Sequence, residues 1–391
     1  MPTQKRNLYI LILILFVVML GYGMITPLLP FYIEDMGAGG AELGLLVASY
    51  AFMRMVFGPI WGGLSDRVGR KPILLIGILG YVVTMLWFGL ADRLWMLFAA
   101  RILAGILSSA TAPTTMAFVS DSTLEEERGG GMGMLGAASG IGAILGPVLG
   151  GLLGDESIAL PFFIAAGLAA LSLLLAWVFL PESLPPEKRQ PAKTAKALLD
   201  LRSWMDAIRS PIGPLFNLTF ISTCGLMIFA SVFGLYAMER FNYGPQEVGV
   251  MMMVLGLVSA LAQGVFVGPL TRRWGDTAVL KVSLLASTVG FGFLLLADNY
   301  LTILLATAFL GLASALQISS LISLTSKCAE IPPGIAMGLS NAFISLGRIF
   351  GPIIGGLLLD INLLFPYLVG AAFMLLGFIV SLVRQKQFQT S

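Results

Sequence analysis

The chain has 391 residues, 57% of them hydrophobic and 11% charged, with no histidine. A soluble domain carries about 25% charged residues, so a water-soluble enzyme is excluded. A net charge of +2 is too small for a polyanionic partner, and no basic aromatic surface suggests nucleic acid.

Lys5 and Arg6 precede an apolar run too long for the core of a cleavable signal, with no small-residue cleavage site behind it. The run is therefore expected to stay as a helix. A spanning helix needs about 20 apolar residues. The sequence predicts twelve, over 8–33, 43–63, 72–91, 94–119, 131–153, 160–180, 212–237, 247–270, 278–297, 300–325, 335–359 and 364–383. Cys224 and Cys328 fall in or near separate runs and imply neither a disulfide nor a metal site. The expected fold is an all-α membrane protein of twelve transmembrane helices.

The second and third spans meet in a basic turn, Gly58-Pro59-Ile60-Trp61-Gly62-Gly63-Leu64-Ser65-Asp66-Arg67-Val68-Gly69-Arg70-Lys71-Pro72. Arg67, Arg70 and Lys71 hold this turn on the cytoplasmic side, because short cytoplasmic loops carry the excess of Lys and Arg. With the N-terminus inside, all the cations fall in cytoplasmic segments except Arg93, Arg240, Arg54, Arg101 and Arg348. An even helix count then puts both termini in the cytoplasm, in a plasma (inner) membrane.

The halves repeat. Gly62-x-Leu64-x-x-Arg67-x-Gly69 returns as Gly268-x-Leu270-x-x-Arg273-x-Gly275, an offset of 206. Gly146-Pro147-x-x-Gly150-Gly151 returns as Gly351-Pro352-x-x-Gly355-Gly356, an offset of 205. Six spans per half give both halves one orientation, so the expected bundles are pseudo-symmetric about the membrane normal. The expected domains are 1–181, a six-helix bundle; 182–210, a cytoplasmic linker; and 211–391, a second six-helix bundle. Within the linker, Leu198, Leu201, Met205 and Ile208 take helical spacing. They predict an amphipathic helix over 196–209 on the inner leaflet.

The fifth span reads Gly136-x-x-x-Gly140-x-Gly142-x-x-x-Gly146-Pro147-x-x-Gly150-Gly151. Small residues at this spacing let a partner helix approach closely, and Pro147 favours a bend. This pattern resembles the signature of the drug/proton antiporter branch of the major facilitator superfamily. The turn after the second span resembles the family's loop G-x-L-x-D-R-x-G-R-K. Gly21-Tyr22-Gly23, Pro27-x-x-Pro30 and Arg101-Ile102-Leu103-Ala104-Gly105 are similar to further motifs of that branch. The resemblance covers the whole chain, and points to bacterial tetracycline and multidrug exporters. It implies alternating access, with Asp66, Arg67, Arg70, Lys71 and Asp121 as a cytoplasmic gate. Asp121 would pair with Arg67 or Arg70, and Asp66 would sit at the mouth of the eleventh helix. Gly140, Gly146, Pro147, Gly351 and Pro352 would form a seam between bundles.

Three arginines stand inside spans: Arg54, Arg101 and Arg348. Buried arginine is costly and marks function by default. Their partners at the repeat offset are Ala260, Thr307 and Ala143, so none belongs to the repeated scaffold. The resemblance links Arg101 to proton coupling and leads one to expect acids in the seventh and tenth helices. The chain instead reads Ile228-Phe229-Ala230-Ser231 and Gly311-Leu312-Ala313-Ser314 there. No Asp or Glu stands at mid-depth in any predicted span. The expected cavity is apolar, methionine-rich (Met24, Met53, Met227 and Met251 to Met253) and net positive. Arg54, Arg348, Arg101, Gln263, Gln317 and Asn341 are the expected substrate contacts.

These features predict secondary active efflux of hydrophobic small molecules, neutral or anionic, with the proton as coupling ion and a monomer as the working unit. The partners are the small substrate, the proton and the lipid bilayer. No cofactor, metal or catalytic residue is expected. Export of an endogenous anionic metabolite, siderophore or lipid stays open. More remote are a non-transporting sensor and a membrane enzyme, which would need a nucleophile, acid pair or metal site in the membrane.

Overall fold

The computed structural model describes residues 3–189, 212–327 and 333–383. The predicted helix over 196–209, Cys328, Arg384 and Lys386 lie outside the described residues. Among the described residues, twelve helices are long and apolar enough to cross a membrane. They are α1 (Thr3–Asp35), α2 (Gly40–Val68), α3 (Arg70–Gly89), α4 (Leu94–Ser122), α5 (Glu125–Glu156) and α6 (Leu160–Phe179). The second series is α7 (Gly213–Phe241), α8 (Pro245–Trp274), α9 (Asp276–Leu296), α10 (Tyr300–Lys327), α11 (Pro333–Ile361) and α12 (Phe365–Val383). Among the described residues there is no strand. Many helices run past the predicted apolar limits, since backbone hydrogen bonding continues where the side chains turn polar.

Two helices depart from regular winding, each just before a proline. In α4 a 3-10 turn occupies Ser108–Ala110. Pro113 has no N–H for the Ser109 carbonyl, and the Ser108 hydroxyl donates back to the Ala104 carbonyl at 2.5 Å, a contact that bends helices. The Ile106 carbonyl accepts from Trp61 Nε1 at 2.6 Å, which ties the bend to α2. In α8 a π-helical turn covers Ala262–Phe266, which includes Val265, the residue whose carbonyl Pro269 deprives of a donor.

The described residues fall into two compact units. One lies within Met1–Gly37, Ser49–Ala195 and Gly244–Val250, the other within Ala38–Ala48, Lys196–Tyr243 and Met251–Ser391. The division differs from a single cut between residues 181 and 211, because two helix starts leave their own half. The first turns of α2 pack on α11: Gly40 N and Ala41 N donate to the Asp360 carboxylate at 2.7 and 2.9 Å. A Cβ on Gly44 would strike the Pro352 carbonyl. The first turn of α8 packs on α5, with Gly249 against the Pro147 carbonyl.

Within the first unit α5 lies along α1 on Gly142, Gly146 and Gly150, which face the α1 backbone at Phe16, Leu20 and Met24. Within the second, α11 lies along α7 on Gly347, Gly351 and Gly355, facing Thr223, Cys224 and Ile228. Only glycine permits such backbone approach. A tyrosine closes each unit in the same way. The Tyr32 hydroxyl donates to the Phe88 carbonyl at 2.7 Å, and the Tyr236 hydroxyl to the Leu294 carbonyl at 3.1 Å. The receiving carbonyls are 206 residues apart.

Candidate functional site

A partly open cavity lies among α1, α2, α3 and α4, and all its lining residues belong to the first unit. Arg54 occupies the middle residue of α2, about 21 Å from either end at 1.5 Å per residue. Its guanidinium lies beside the hydroxyl of Tyr50, one turn earlier. The other side of Tyr50 takes Arg101: the guanidinium carbon lies 5.3 Å from the Tyr50 ring centroid and 5.8 Å from that of Phe88. One phenol thus stands between two cations, its hydroxyl beside Arg54 and its π face against Arg101. The Tyr22 ring lies 5.7 Å from that of Tyr50. Gly105, one turn after Arg101, lets α4 close on α2: a Cβ there would lie 2.9 Å from the Tyr50 carbonyl.

Arg101 is 5% exposed and Tyr81 is 3% exposed. The Arg101 Nε–H and the Tyr81 hydroxyl have no hydrogen-bond partner, although both residues line the cavity. No Asp or Glu is among the lining residues. Buried charges are ordinarily paired; here π faces meet Arg101 and leave one polar edge open. Ser108 and Ser109, from the bent turn of α4, complete the polar part.

The remaining predicted contacts are scattered. Gln317 is 2% exposed; its Oε1 accepts from the Ser287 hydroxyl at 3.2 Å, and its Nε2 faces the Met374 sulfur. It is a buried packing link in the second unit. Gln263 is exposed in the π turn of α8, and Asn341 and Arg348 are exposed on α11; all three belong to the second unit and none lines this cavity. Met24, Met251 and Met252 are buried in the core. Met19 and Met85 are the methionines that line the cavity. Tyr22, Tyr50 and Tyr81 were not among the expected contacts. Their signal was a phenol inside an apolar span, which needs a polar partner when buried.

The basic turn is tightly built. Arg70 is 8% exposed. It donates to Asp66 Oδ1 at 2.5 Å, Asp121 Oδ2 at 2.9 Å and the Ser65 hydroxyl at 2.7 Å. Of the two predicted partners for Asp121, Arg70 takes it, and Arg67 is exposed. Asp66 bonds to Arg70 within its own turn. Glu182 accepts from Arg70 N and Lys71 N at 2.8 and 3.2 Å, a carboxylate at the start of α3 where the orphan N–H groups point. Lys71 Nζ donates to the Trp177 carbonyl at 2.8 Å.

At the offset of 206 the second half holds Arg272, Asp276 and Lys327 in place of Asp66, Arg70 and Asp121. Every sign is reversed. The pair survives the reversal: Lys327 Nζ lies 2.5 Å from Asp276 Oδ2, which also accepts from the Ser323 hydroxyl at 2.9 Å. Arg272 instead donates to the Gly268 carbonyl at 3.2 Å.

The predicted seam divides. Gly146 and Gly351 pack α5 on α1 and α11 on α7 within their own units. Pro147 and Pro352 present the carbonyls met by Gly249 and Gly44. Around Gly140, and equally Gly58 and Gly62, a Cβ would meet nothing within 4 Å.

The family model described as Major Facilitator Superfamily matches the chain twice, over residues 11–218 and 215–390. Multidrug resistance protein 2 of Bacillus subtilis (strain 168) is 30% identical over 388 residues, covering 98% of this chain and 96% of that protein. Quinolone resistance protein NorA of Staphylococcus aureus (strain COL) is 27% identical over 383 residues, covering 98% of this chain and 97% of its own. Among solved structures, the nucleoside transporter NupG aligns with a TM-score of 0.80 at 17% identity, over 99% of this chain and 99% of that one. The human organic anion transporter MFSD10 aligns with a TM-score of 0.70 at 21% identity, over 97% of this chain and 100% of that one. Both structural likenesses speak to the fold. With twelve membrane-length helices, a repeated glycine scaffold and a family match along nearly its whole length, the chain belongs to the major facilitator superfamily and is a multi-pass membrane transporter.

Proposed function

We propose that the protein is a secondary active exporter of hydrophobic, drug-like small molecules, neutral or anionic, working by alternating access. Relatives named for multidrug and quinolone resistance support the drug-efflux reading. The observation that carries the charge preference is the cavity with two guanidiniums and no carboxylate. A lipophilic cation finds no counter-charge in it. Arg54 and Arg101 contact the substrate there. Arg348, Gln263 and Asn341 serve the second unit's share of the path. Asp66, Arg70 and Asp121, with Arg67 and Lys71, form the cytoplasmic gate, and Pro147 and Pro352 its outer counterpart.

The working division is 1–181, 182–210 and 211–391, supported by the 205–206 offset. Both termini face the cytoplasm of a plasma-membrane monomer, on the charge distribution of the loops. Proton entry is the coupling reaction. Because no Asp, Glu or His stands at mid-span, the proton must travel by acids at helix ends. The same cavity chemistry also favours an endogenous anion over a cation as native cargo.

Expression in a bacterial host stripped of its own exporters tests the reading. Tolerance to tetracycline or a phenicol rises severalfold, and everted vesicles accumulate the drug until nigericin removes the pH gradient. Unchanged tolerance and no vesicle uptake would refute export; uptake indifferent to nigericin would refute proton coupling.

A further inference from the structure

We propose that the cavity of the first unit binds a carboxylate carried on a flat aromatic body, with Arg101 Nε–H, Arg54 and the Tyr81 hydroxyl as its donors. The inference rests on the transporter reading above and names the ligand class of that same cavity.

Three observations carry it. The first is an unmet demand for an acceptor. Arg101 and Tyr81 are more than nine-tenths buried and each keeps a donor without a partner. A buried donor left without an acceptor is costly, and two lining one cavity call for an anion that accepts from both. The second is charge. Two guanidiniums line a space with no carboxylate, so an entering anion neutralises charge that the protein has left unpaired. A carboxylate suits the fork of a guanidinium, which offers parallel N–H groups to two oxygens. The third is shape. Tyr22, Tyr50 and Phe88 present rings on the same lining as Arg54 and Arg101. Ring faces and edges favour a flat aromatic partner, which they meet at about 4.5–7 Å between centroids. Apolar side chains, among them Val18, Ile25 and Met85, hold the aromatic body once its charge is met.

The roles of the donors differ. Arg101 is the fixed anchor, clamped between the Tyr50 and Phe88 rings. Arg54 is half-buried beside the Tyr50 hydroxyl and is the more mobile donor that closes over the anion. Tyr81 adds a neutral donor from α3.

The test uses the full-length protein in lipid nanodiscs and equilibrium binding of 2-naphthoate against 2-naphthamide. The pair share a ring and differ in charge. Charge-assisted hydrogen bonds predict that naphthoate binds at least about tenfold more tightly. Arg54→Gln removes most of that preference while leaving the thermal midpoint in place, because the glutamine keeps a polar side chain at a partly exposed position. Arg101→Gln abolishes it, and Tyr81→Phe weakens naphthoate binding severalfold without touching naphthamide. Equal affinity for the two ligands in the unaltered protein would overturn the proposal, as would a preference that survives Arg54→Gln. The outcome separates from that of the export assay. Drug export with no naphthoate preference sinks the site and leaves the exporter; a naphthoate preference without export does the reverse.

Discussion

Gly21 and Tyr81 show how one missing methyl decides the chemistry of the cavity. A Cβ on Gly21 would land on the Tyr81 hydroxyl oxygen, with the Tyr81 ring carbon and the Ala165 Cβ each 3.1 Å away. Gly21 therefore exists to make room for a phenol, and the phenol brings a donor to the cavity wall. Overpacking a buried site costs about 1–3 kcal/mol. Gly21→Ala is expected to lower the thermal midpoint in detergent, and adding Tyr81→Phe is expected to restore most of it, because the clashing oxygen is then gone. A double-mutant cycle reads this coupling directly. Additive effects of the two changes would mean that the hydroxyl lies elsewhere. Arg101 belongs to the same scale. Two ring faces hold a charge that no acid neutralises, which makes its position stable and its unpaired edge available.

Between elements, the ends of α3 and α4 and their counterparts α9 and α10 are joined by ion pairs of opposite polarity. Arg70 with Asp121 links the first pair of helices, and Asp276 with Lys327 links the second. A helix junction needs one charge of each sign and is indifferent to which helix supplies which. The repeat therefore preserves the contact while its residues change. Arg70→Asp alone leaves three acids facing one another and is expected to cost about 2 kcal/mol or more, read as a lower thermal midpoint and lost transport. Combining Asp66→Arg, Arg70→Asp and Asp121→Lys copies the second half into the first. It is expected to recover part of the loss, the remainder being repulsion from Glu182, which sits on the first N–H groups of α3. A triple variant no better than Arg70→Asp would show that the sign, and not merely the pairing, matters in this half.

At the scale of the molecule, cargo charge decides the driving force. Moving one elementary charge through about 100 mV is worth about 2.3 kcal/mol, or roughly a 40-fold gradient. An anion leaving an inside-negative compartment gains this energy without any proton. In proteoliposomes with equal pH on both sides, a potassium–valinomycin potential, inside negative, is expected to raise 2-naphthoate efflux severalfold and efflux of a neutral phenicol by less, because exchanging the anion for one entering proton moves two charges and exchanging the neutral drug moves one. Equal responses of both substrates would mean that the anion crosses as its neutral acid. The two units share one plan, seen in the glycine faces of α5 and α11 and in the hydroxyls of Tyr32 and Tyr236. Arg54 and Arg101 depart from that plan, standing against Ala260 and Thr307, and both sit in one unit's cavity.

The sequence by itself determined the twelve helices, the repeat and the family. Apolar length, glycine spacing and the basic turn are local or periodic signals that survive without coordinates. It also marked Arg54 and Arg101 as unusual, because a cation in an apolar span is conspicuous in one dimension. Tertiary structure alone decided which side chains share a space. Gln317 and Met251 looked like lining residues and are core, since facing is set by neighbouring helices. Tyr50 came to stand between two arginines because Gly105 lets α4 close on α2 at that turn. The starts of α2 and α8 joined the opposite halves because Gly44 and Gly249 accept proline carbonyls, a match between residues about 300 and 100 positions apart that no local pattern encodes.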